Sequence, residues 1–154
     1  MLHILNEAET RAALPWPALI EGLCRMFVTG CERPLRHHHE VAVPGEECGT
    51  LLLMPAWVPG DFIGVKMVTV IPGNSARGLP AISGAYLLSS GATGSLLAVI
   101  DGAELTARRM AAASALASRY LSRTDARRLL VVGAGKLALN LIEAHASVRS
   151  IESV

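Results

Sequence analysis

The chain has 154 residues, of which 51% are hydrophobic and 18% charged, so it can build a folded core and is not a disordered segment. Its formal net charge is +1 and its arginines are dispersed, which argues against a nucleic-acid partner. The longest apolar runs, such as residues 51–58, are too short to cross a membrane and contain Pro55, so we expect no membrane association.

A short strand at residues 2–5 and two helices are predicted at the start of the chain. The first helix covers residues 7–14. Residues 16–28 repeat apolar side chains at helical spacing, and this second helix should end at Gly30.

The chain then changes to a β-rich pattern. Segments rich in β-branched and apolar residues, separated by Gly and Pro turn signals, predict an antiparallel or mixed sheet. These segments are residues 50–54, 62–71, 82–88 and 96–100. An alanine-rich helix is predicted over residues 104–120, followed by a linker at residues 122–126.

A glycine-rich turn follows this linker. Residues 129–132 predict an apolar strand, and Gly133-Ala-Gly135-Lys-Leu-Ala138 leads from it into a helix. A strand, this glycine spacing and a helix are typical of a dinucleotide-binding βαβ unit, which indicates a nicotinamide or flavin cofactor. Gly133 permits the tight turn, and Gly135 lets the backbone approach a pyrophosphate. The ribose-binding acid is expected about 20 residues further on, so NAD versus NADP stays open.

Several motifs occur in one order before this turn. They are Gly64-Val-Lys66, Pro72-Gly-Asn74, Gly78-Leu-Pro80, Thr93-Gly94, Asp101-Gly102 and Leu105-Thr-Ala-Arg-Arg109. In this order the chain resembles the ornithine cyclodeaminase/μ-crystallin family, which also contains alanine dehydrogenases and cyclic ketimine reductases. The resemblance implies an α+β domain for substrate binding and dimerisation at residues 1–122. It also implies the first β-α-β portion of an α/β Rossmann domain, which binds NAD or NADP, at residues 123–154.

The resemblance also implies a site. Arg36, Lys66 and Arg109 would bind the substrate carboxylate, with Lys66 as the catalytic group that assists proton movement at nitrogen. An arginine fork suits a carboxylate, and lysine supplies a compact charge and a transferable proton. The implied cofactor-binding residues are Arg109, Gly133, Gly135, Lys136 and Leu137.

Each polar candidate has a simpler interpretation. Lys66 can be a solvated lysine of an edge strand, and Arg108, rather than Arg109, can be the exposed arginine of the pair. The run His37-His38-His39 suggests a metal, but adjacent residues of an extended segment point to alternate sides. We therefore expect a solvated loop there and no metal site.

One departure from the family pattern bears on the substrate. Relatives that act on ornithine are expected to carry an acidic residue where this chain has Leu52, and a leucine cannot compensate a substrate ammonium. We therefore predict an NAD(P)-dependent oxidoreductase acting on the C–N bond of a small amino or imino acid. Ornithine cyclodeamination and a non-catalytic, crystallin-like ligand-binding role are the alternatives.

The resemblance further implies a homodimer through the first domain and a catalytic Asp located beyond Val154. We therefore expect the chain by itself to show little or no turnover. Its three cysteines lack C-x-x-C spacing, which indicates free thiols and a cytoplasmic location.

Overall fold

The computed structural model describes residues 1–154 as two compact units. The sheet unit comprises residues 1–8 and 31–103, and the helical unit comprises residues 9–30 and 104–154. The predicted domain boundary between residues 122 and 123 stays a prediction. None of the helices combines the length and apolar character needed to cross a membrane.

The sheet unit contains one mixed six-stranded sheet. Its strands are β1 (His3–Leu5), β2 (His37–Val41), β3 (Gly49–Val58), β4 (Phe62–Val70), β5 (Ile82–Ser90) and β6 (Leu96–Asp101). They lie in the order β1-β6-β5-β4-β3-β2, and only β1 and β6 run parallel. The prediction of an antiparallel or mixed sheet is therefore confirmed.

The prediction of a loop at His37-His38-His39 is wrong, because these residues begin β2. The strand pairs with β3 from His37–Leu53 to Val41–Gly49, and all of its residues are exposed. Its histidines carry no strong β signal, so the strand forms through its hydrogen bonds with β3 rather than through local preference.

Pro55 lies inside β3 and does not interrupt it. The amide of Trp57 donates to Glu32 O at 3.0 Å, on the side of β3 away from β4. Alternate residues of a strand direct their N–H groups the same way, so the nitrogen of Pro55 also lies on this outer side. Pro55 therefore removes no hydrogen bond between β3 and β4.

The helical unit is built around α2 (Trp16–Thr29), α3 (Gly102–Leu121) and α4 (Lys136–Ala146), while α1 (Glu7–Ala13) and α3 each extend from one unit into the other. The predicted helices are confirmed, including the end of α2 at Gly30, whose φ is 74°. The buried core consists of Ile20, Ala111, Ala112, Ala115, Leu116 and Ala144. Small alanine side chains let the helix axes approach closely, which explains why α3 is so rich in alanine.

The predicted strand at residues 129–132 is wrong. The segment forms one parallel bridge, between Arg128 and Ser153, and the amide of Leu129 donates to Ser153 O at 3.0 Å. The side chains of Leu130 and Val132 are 86% and 93% exposed. A single short neighbouring segment cannot form backbone hydrogen bonds along the whole of residues 129–132. Two parallel extended segments joined by α4 nevertheless have the connectivity that begins a βαβ unit.

Arg149 ties the segment after α4 to the end of α3. Its guanidinium donates to main-chain carbonyls of Ser118, Arg119, Ser122 and Arg123 at distances between 2.8 and 3.2 Å. A helix leaves its last carbonyls without intrahelical partners, so a cation at this position satisfies them and complements the helix dipole.

Candidate functional site

Lys66 lies in the middle of the sheet, not on an edge strand. It is half-buried in β4, where it pairs with Met54 of β3 on one side and with Tyr86 of β5 on the other. Directly opposed residues project from the same face of an antiparallel sheet. Met54, Lys66 and Tyr86 therefore form a row across one face, which we call the Lys66 face.

Tyr86 crosses β4 next to Lys66. A β-carbon built on Gly64 would overlap the Tyr86 hydroxyl oxygen and lie 2.6 Å from Cζ, so the end of the phenol side chain occupies the space that a side chain at residue 64 would take. Burial raises the pKa of Tyr86 above its usual value, with a smaller contribution from Cys31. The phenol therefore stays protonated at neutral pH.

Leu52 also belongs to the Lys66 face. It pairs with Val68 of β4, and Val68 follows Lys66 by two residues, which in a strand means the same face. Val68 is 8% exposed. On its other side Leu52 pairs with His38 of β2. Two strands thus place aliphatic side chains beside Lys66 and Met54.

Arg36 and Lys66 both belong to the sheet unit, and Arg109 belongs to the helical unit. Arg36 is exposed and immediately precedes β2, whose first pair joins His37 to Leu53. Leu53 is the neighbour of Met54, the residue opposite Lys66. The convergence of Arg36, Lys66 and Arg109 on one carboxylate stays a prediction.

The suggestion that Arg108 is the exposed arginine of the pair is wrong. Arg108 is 4% exposed, and its Nε and Nη2 donate to Leu14 O at 2.9 and 2.7 Å. Its guanidinium also stacks on Trp16, and Glu104 lies 3.9 Å away. Arg109 is exposed on α3. Arg108 therefore has a structural role, whereas Arg109 is accessible to a ligand.

The glycine turn leaves open space before the N-terminus of α4. Gly133 has a φ of 104°, a conformation that favours glycine, and no heavy atom beyond the adjacent residues lies within 4 Å of a β-carbon built on Gly133 or Gly135. Gly135 precedes α4 with extended backbone, and no side chain caps this helix N-terminus. The exposed Lys136 follows directly. A helix N-terminus with no side-chain cap and with open space in front of it fits an anionic group.

The histidine run presents no combined ligand set. The rings of His37 and His39 lie 6.2 Å apart, whereas His38 pairs with Leu52 on the Lys66 face. No group of three or more His, Cys, Asp or Glu side chains is arranged to hold a metal ion.

The sequence did not indicate that Tyr86 lies beside Lys66, nor that Gly64 leaves room for it. Tyr86 resembles any aromatic residue of a β-rich segment, and its position opposite Lys66 depends on the register of β4 and β5. The sequence did contain one signal for this contact, namely a glycine two residues before Lys66 on the same strand. Glycine inside a strand often marks a place where another group approaches the backbone closely.

The model of the ornithine cyclodeaminase/mu-crystallin family matches residues 7–154. The chain belongs to this family. The match covers nearly the whole chain and confirms the resemblance drawn from the motifs, including the section with the glycine turn.

Two relatives illustrate the extent of the similarity. An uncharacterised protein of Schizosaccharomyces pombe is 47% identical over 155 residues, covering 99% of this chain and 47% of that protein. A delta(1)-pyrroline-2-carboxylate reductase of Paracoccus denitrificans is 35% identical over 146 residues, covering 95% of this chain and 45% of that enzyme. The chain therefore spans about half the length of the curated relatives it matches.

Solved structures give the same picture. A lysine cyclodeaminase, studied for its recognition of L-lysine, L-ornithine and L-2,4-diaminobutyric acid, matches with 34% identity, a TM-score of 0.74 and coverage of 99% of this chain and 47% of that chain. The delta(1)-pyrroline-2-carboxylate reductase of Thermococcus litoralis with NADH and L-proline matches with 28% identity, a TM-score of 0.72 and coverage of 99% of this chain and 48% of that chain. An archaeal alanine dehydrogenase dimer with bound NAD matches with 31% identity, a TM-score of 0.78 and coverage of 97% of this chain and 46% of that chain. These similarities confirm the predicted fold class.

Proposed function

We propose that this chain is part of an NAD(P)-dependent oxidoreductase that acts on the C–N bond of a small imino or amino acid, with a cyclic imino acid as the favoured substrate. Similarity to the pyrroline-2-carboxylate reductases of Paracoccus denitrificans and Thermococcus litoralis and to the archaeal alanine dehydrogenase supports the reaction class. The choice among substrates depends on the residues around Lys66.

The observation that carries the proposal is the apolar surface beside Lys66. Leu52, Met54 and Val68 are apolar neighbours on the Lys66 face, and neither they nor the phenol of Tyr86 supplies an anion to pair with a second ammonium group. Burying an uncompensated ammonium is costly, whereas an aliphatic ring gains from contact with such a surface. This arrangement favours a substrate with an apolar side chain over ornithine or lysine.

The cationic residues take the roles that their chemistry permits. Arg36 and Arg109 bind the substrate carboxylate through paired N–H groups, and Lys66 adds a third positive charge. Lys66 is also the residue that moves a proton at the substrate nitrogen. Holding the carboxylate at fixed points orients the C–N bond for reaction.

The glycine turn and the start of α4 bind the dinucleotide. Gly133, Gly135, Lys136 and Leu137 place main-chain amides, and one lysine, against the pyrophosphate, and Arg109 contributes a further cation. When bound, the nicotinamide supplies or accepts the hydride. The left-handed Gly133 and the open space beside Gly135 are the structural features that support this assignment.

The test uses the intact protein that contains this chain. Delta(1)-pyrroline-2-carboxylate with NADH or NADPH should cause consumption of the reduced cofactor, and Lys66→Met should abolish most of it. Leu87→Ala, on the opposite face of β5, is the matched control and should retain activity. Absence of turnover with cyclic imines, and with pyruvate plus ammonia, would contradict the proposed function. NAD(P)H binding under those conditions would instead favour the crystallin-like role.

A second candidate is a cyclodeaminase. The 34% identity to lysine cyclodeaminase favours it. Ammonia release from L-ornithine or L-lysine, without net consumption of cofactor, would distinguish this activity from imine reduction. The apolar neighbours of Lys66 predict that the reductase reaction is the faster of the two.

We also propose that the protein is a homodimer located in the cytoplasm. The related archaeal alanine dehydrogenase is a dimer, and three free thiols suit a reducing compartment. Light scattering of the intact protein tests the first statement, and localisation of a tagged copy tests the second.

A further inference from the structure

The contact between Tyr86 and Gly64 on the Lys66 face has no role in the proposed function so far. Tyr86 pairs directly with Lys66, and opposed residues of an antiparallel pair have β-carbons about 5 Å apart. The ring does not stand upright from β5. It leans across β4 and reaches the backbone of Gly64, two residues before Lys66.

The missing side chain at residue 64 makes this geometry possible. A β-carbon there would overlap the hydroxyl oxygen of Tyr86, which is the nearest atom, and would lie 2.6 Å from its Cζ, closer than two carbon atoms can pack. Residues 64 and 66 project from the same face about 7 Å apart. The ring therefore fills the position next to Lys66 that a side chain of β4 would otherwise occupy.

Lys66 consequently has three neighbouring residues around it on this face. Met54 stands opposite it on β3, Val68 follows it on the same face of β4, and Tyr86 fills the side towards Gly64. A lysine side chain has four rotatable bonds and high rotamer freedom. Close packing along its aliphatic part restricts that freedom and limits the positions that the ammonium group can reach.

We propose that Tyr86 is a positioning residue for Lys66: its phenol side chain, with the hydroxyl end over Gly64, fixes where the lysine ammonium lies relative to the substrate. This inference rests on the proposed function for its kinetic consequence. It assigns the effect to the bulk of the phenol side chain rather than to hydrogen bonding by its hydroxyl, and it gives Gly64 a specific purpose, namely to leave room for the hydroxyl end of that side chain.

The kinetic test compares four variants of the intact protein in cyclic imine reduction. Tyr86→Ala should lower kcat/KM about 10- to 100-fold, since displacement of a catalytic group by about 1 Å can cost that much. The loss should fall mainly on kcat. Tyr86→Phe, which keeps the ring, should restore most of the activity. Gly64→Ala should resemble Tyr86→Ala, and the double variant should be no worse than Tyr86→Ala alone, because the two residues act through one contact.

Leu87→Ala provides the matched control, because it shortens a side chain on the opposite face of the same strand. It should lower thermal stability without reducing kcat/KM. Unchanged kinetics in Tyr86→Ala would overturn the inference. So would a Tyr86→Phe variant as impaired as Tyr86→Ala, or losses that add in the double variant.

A second measurement does not depend on catalysis. The rate of reductive methylation of Lys66, followed by mass spectrometry, should rise in Tyr86→Ala and in Gly64→Ala but not in Tyr86→Phe or Leu87→Ala. An unchanged rate in Tyr86→Ala would overturn the inference even if the protein reduces imines. If the wild-type protein shows no turnover, the proposed function fails, and the methylation rates still decide whether Tyr86 positions Lys66.

Discussion

The guanidinium of Arg108 lies over the indole ring of Trp16, with Cζ 3.8 Å from the ring centroid. The same guanidinium donates two hydrogen bonds to Leu14 O, just before α2 begins. One buried cation thus joins α3 to the start of α2 through a stacking contact and a carbonyl. The neighbouring Arg109 makes the pair a natural comparison between a structural arginine and one proposed to bind the substrate.

Arg108→Ala should reduce the free energy of unfolding by about 2–4 kcal/mol, because it leaves Leu14 O without its buried donor and removes the stacking contact. Denaturant unfolding of the intact protein measures this. Arg109→Ala should change stability by no more than about 0.5 kcal/mol, as expected for an exposed position, but should impair substrate turnover. The reverse pattern would contradict the assignment of the two arginines.

Arg149→Ala should reduce the free energy of unfolding by about 2–3 kcal/mol, since it removes the cation that satisfies several carbonyls at the end of α3. Arg127→Ala is the control. Arg127 makes one exposed ion pair, with Glu152 at 3.3 Å, and such pairs contribute about 0–1 kcal/mol. Equal losses in the two variants would show that Arg149 does not anchor α3.

Gly133→Ala should lower stability by about 1–3 kcal/mol, because alanine rarely adopts a φ of 104°. Gly135→Ala should leave stability nearly unchanged, since its φ of −75° is accessible to alanine and the neighbouring space is open. Both variants should bind NADH more weakly in a fluorescence titration. Unchanged affinity in Gly135→Ala would contradict the placement of the pyrophosphate there.

Leu52→Glu should raise ornithine-dependent ammonia release about tenfold in kcat/KM, because a carboxylate on the Lys66 face can pair with the second ammonium of the substrate. Leu53→Glu is the control, since Leu53 pairs with Met67 on the opposite face. Absence of a gain in Leu52→Glu, or equal gains in both variants, would contradict the position of Leu52 in the substrate site.

The stability of the helical unit should fall in mildly acidic solution. Burial lowers the pKa of His145 below its usual value of 6.5, and its Nε2 lies 3.0 Å from Ser114 Oγ. The folded state therefore favours the neutral ring. Its contribution to stability is complete above pH 6.5 and decreases as the pH falls from 6.5 through the lower folded pKa. Melting temperatures should decline less steeply over this range in His145→Gln, and identical slopes would contradict the prediction.

Local sequence signals predicted the helices, most of the strands and the glycine turn. Apolar spacing predicted α2 and α3, and the spacing of Gly133 and Gly135 before an apolar helix predicted the turn that precedes α4. The motif around Lys66 selected the lysine of β4. Each of these features depends on residues that are close together in the chain, so a short segment of sequence is enough to predict it.

Features that depend on neighbouring strands could not be predicted from such segments. The strand at β2 forms only because β3 supplies hydrogen bonds, and Pro55 is tolerated only because its nitrogen lies on the outer side of β3. Conversely, residues 129–132 have the composition of a strand but only one short neighbour, so they remain largely unpaired. Strand propensity indicates a tendency, and pairing decides the outcome.

The sequence by itself determined the family and the glycine turn, and it indicated Lys66 as the candidate lysine of the site, because contiguous motifs carry these signals. Only the tertiary structure decided which arginine of α3 is buried, since Trp16 and Leu14 reach Arg108 from elsewhere in the chain. It also decided that Tyr86 leans over Gly64 beside Lys66, because that contact depends on the register of two strands. Side-chain partners distant in sequence meet only through folding, and one residue of register moves a side chain to the other face of the sheet.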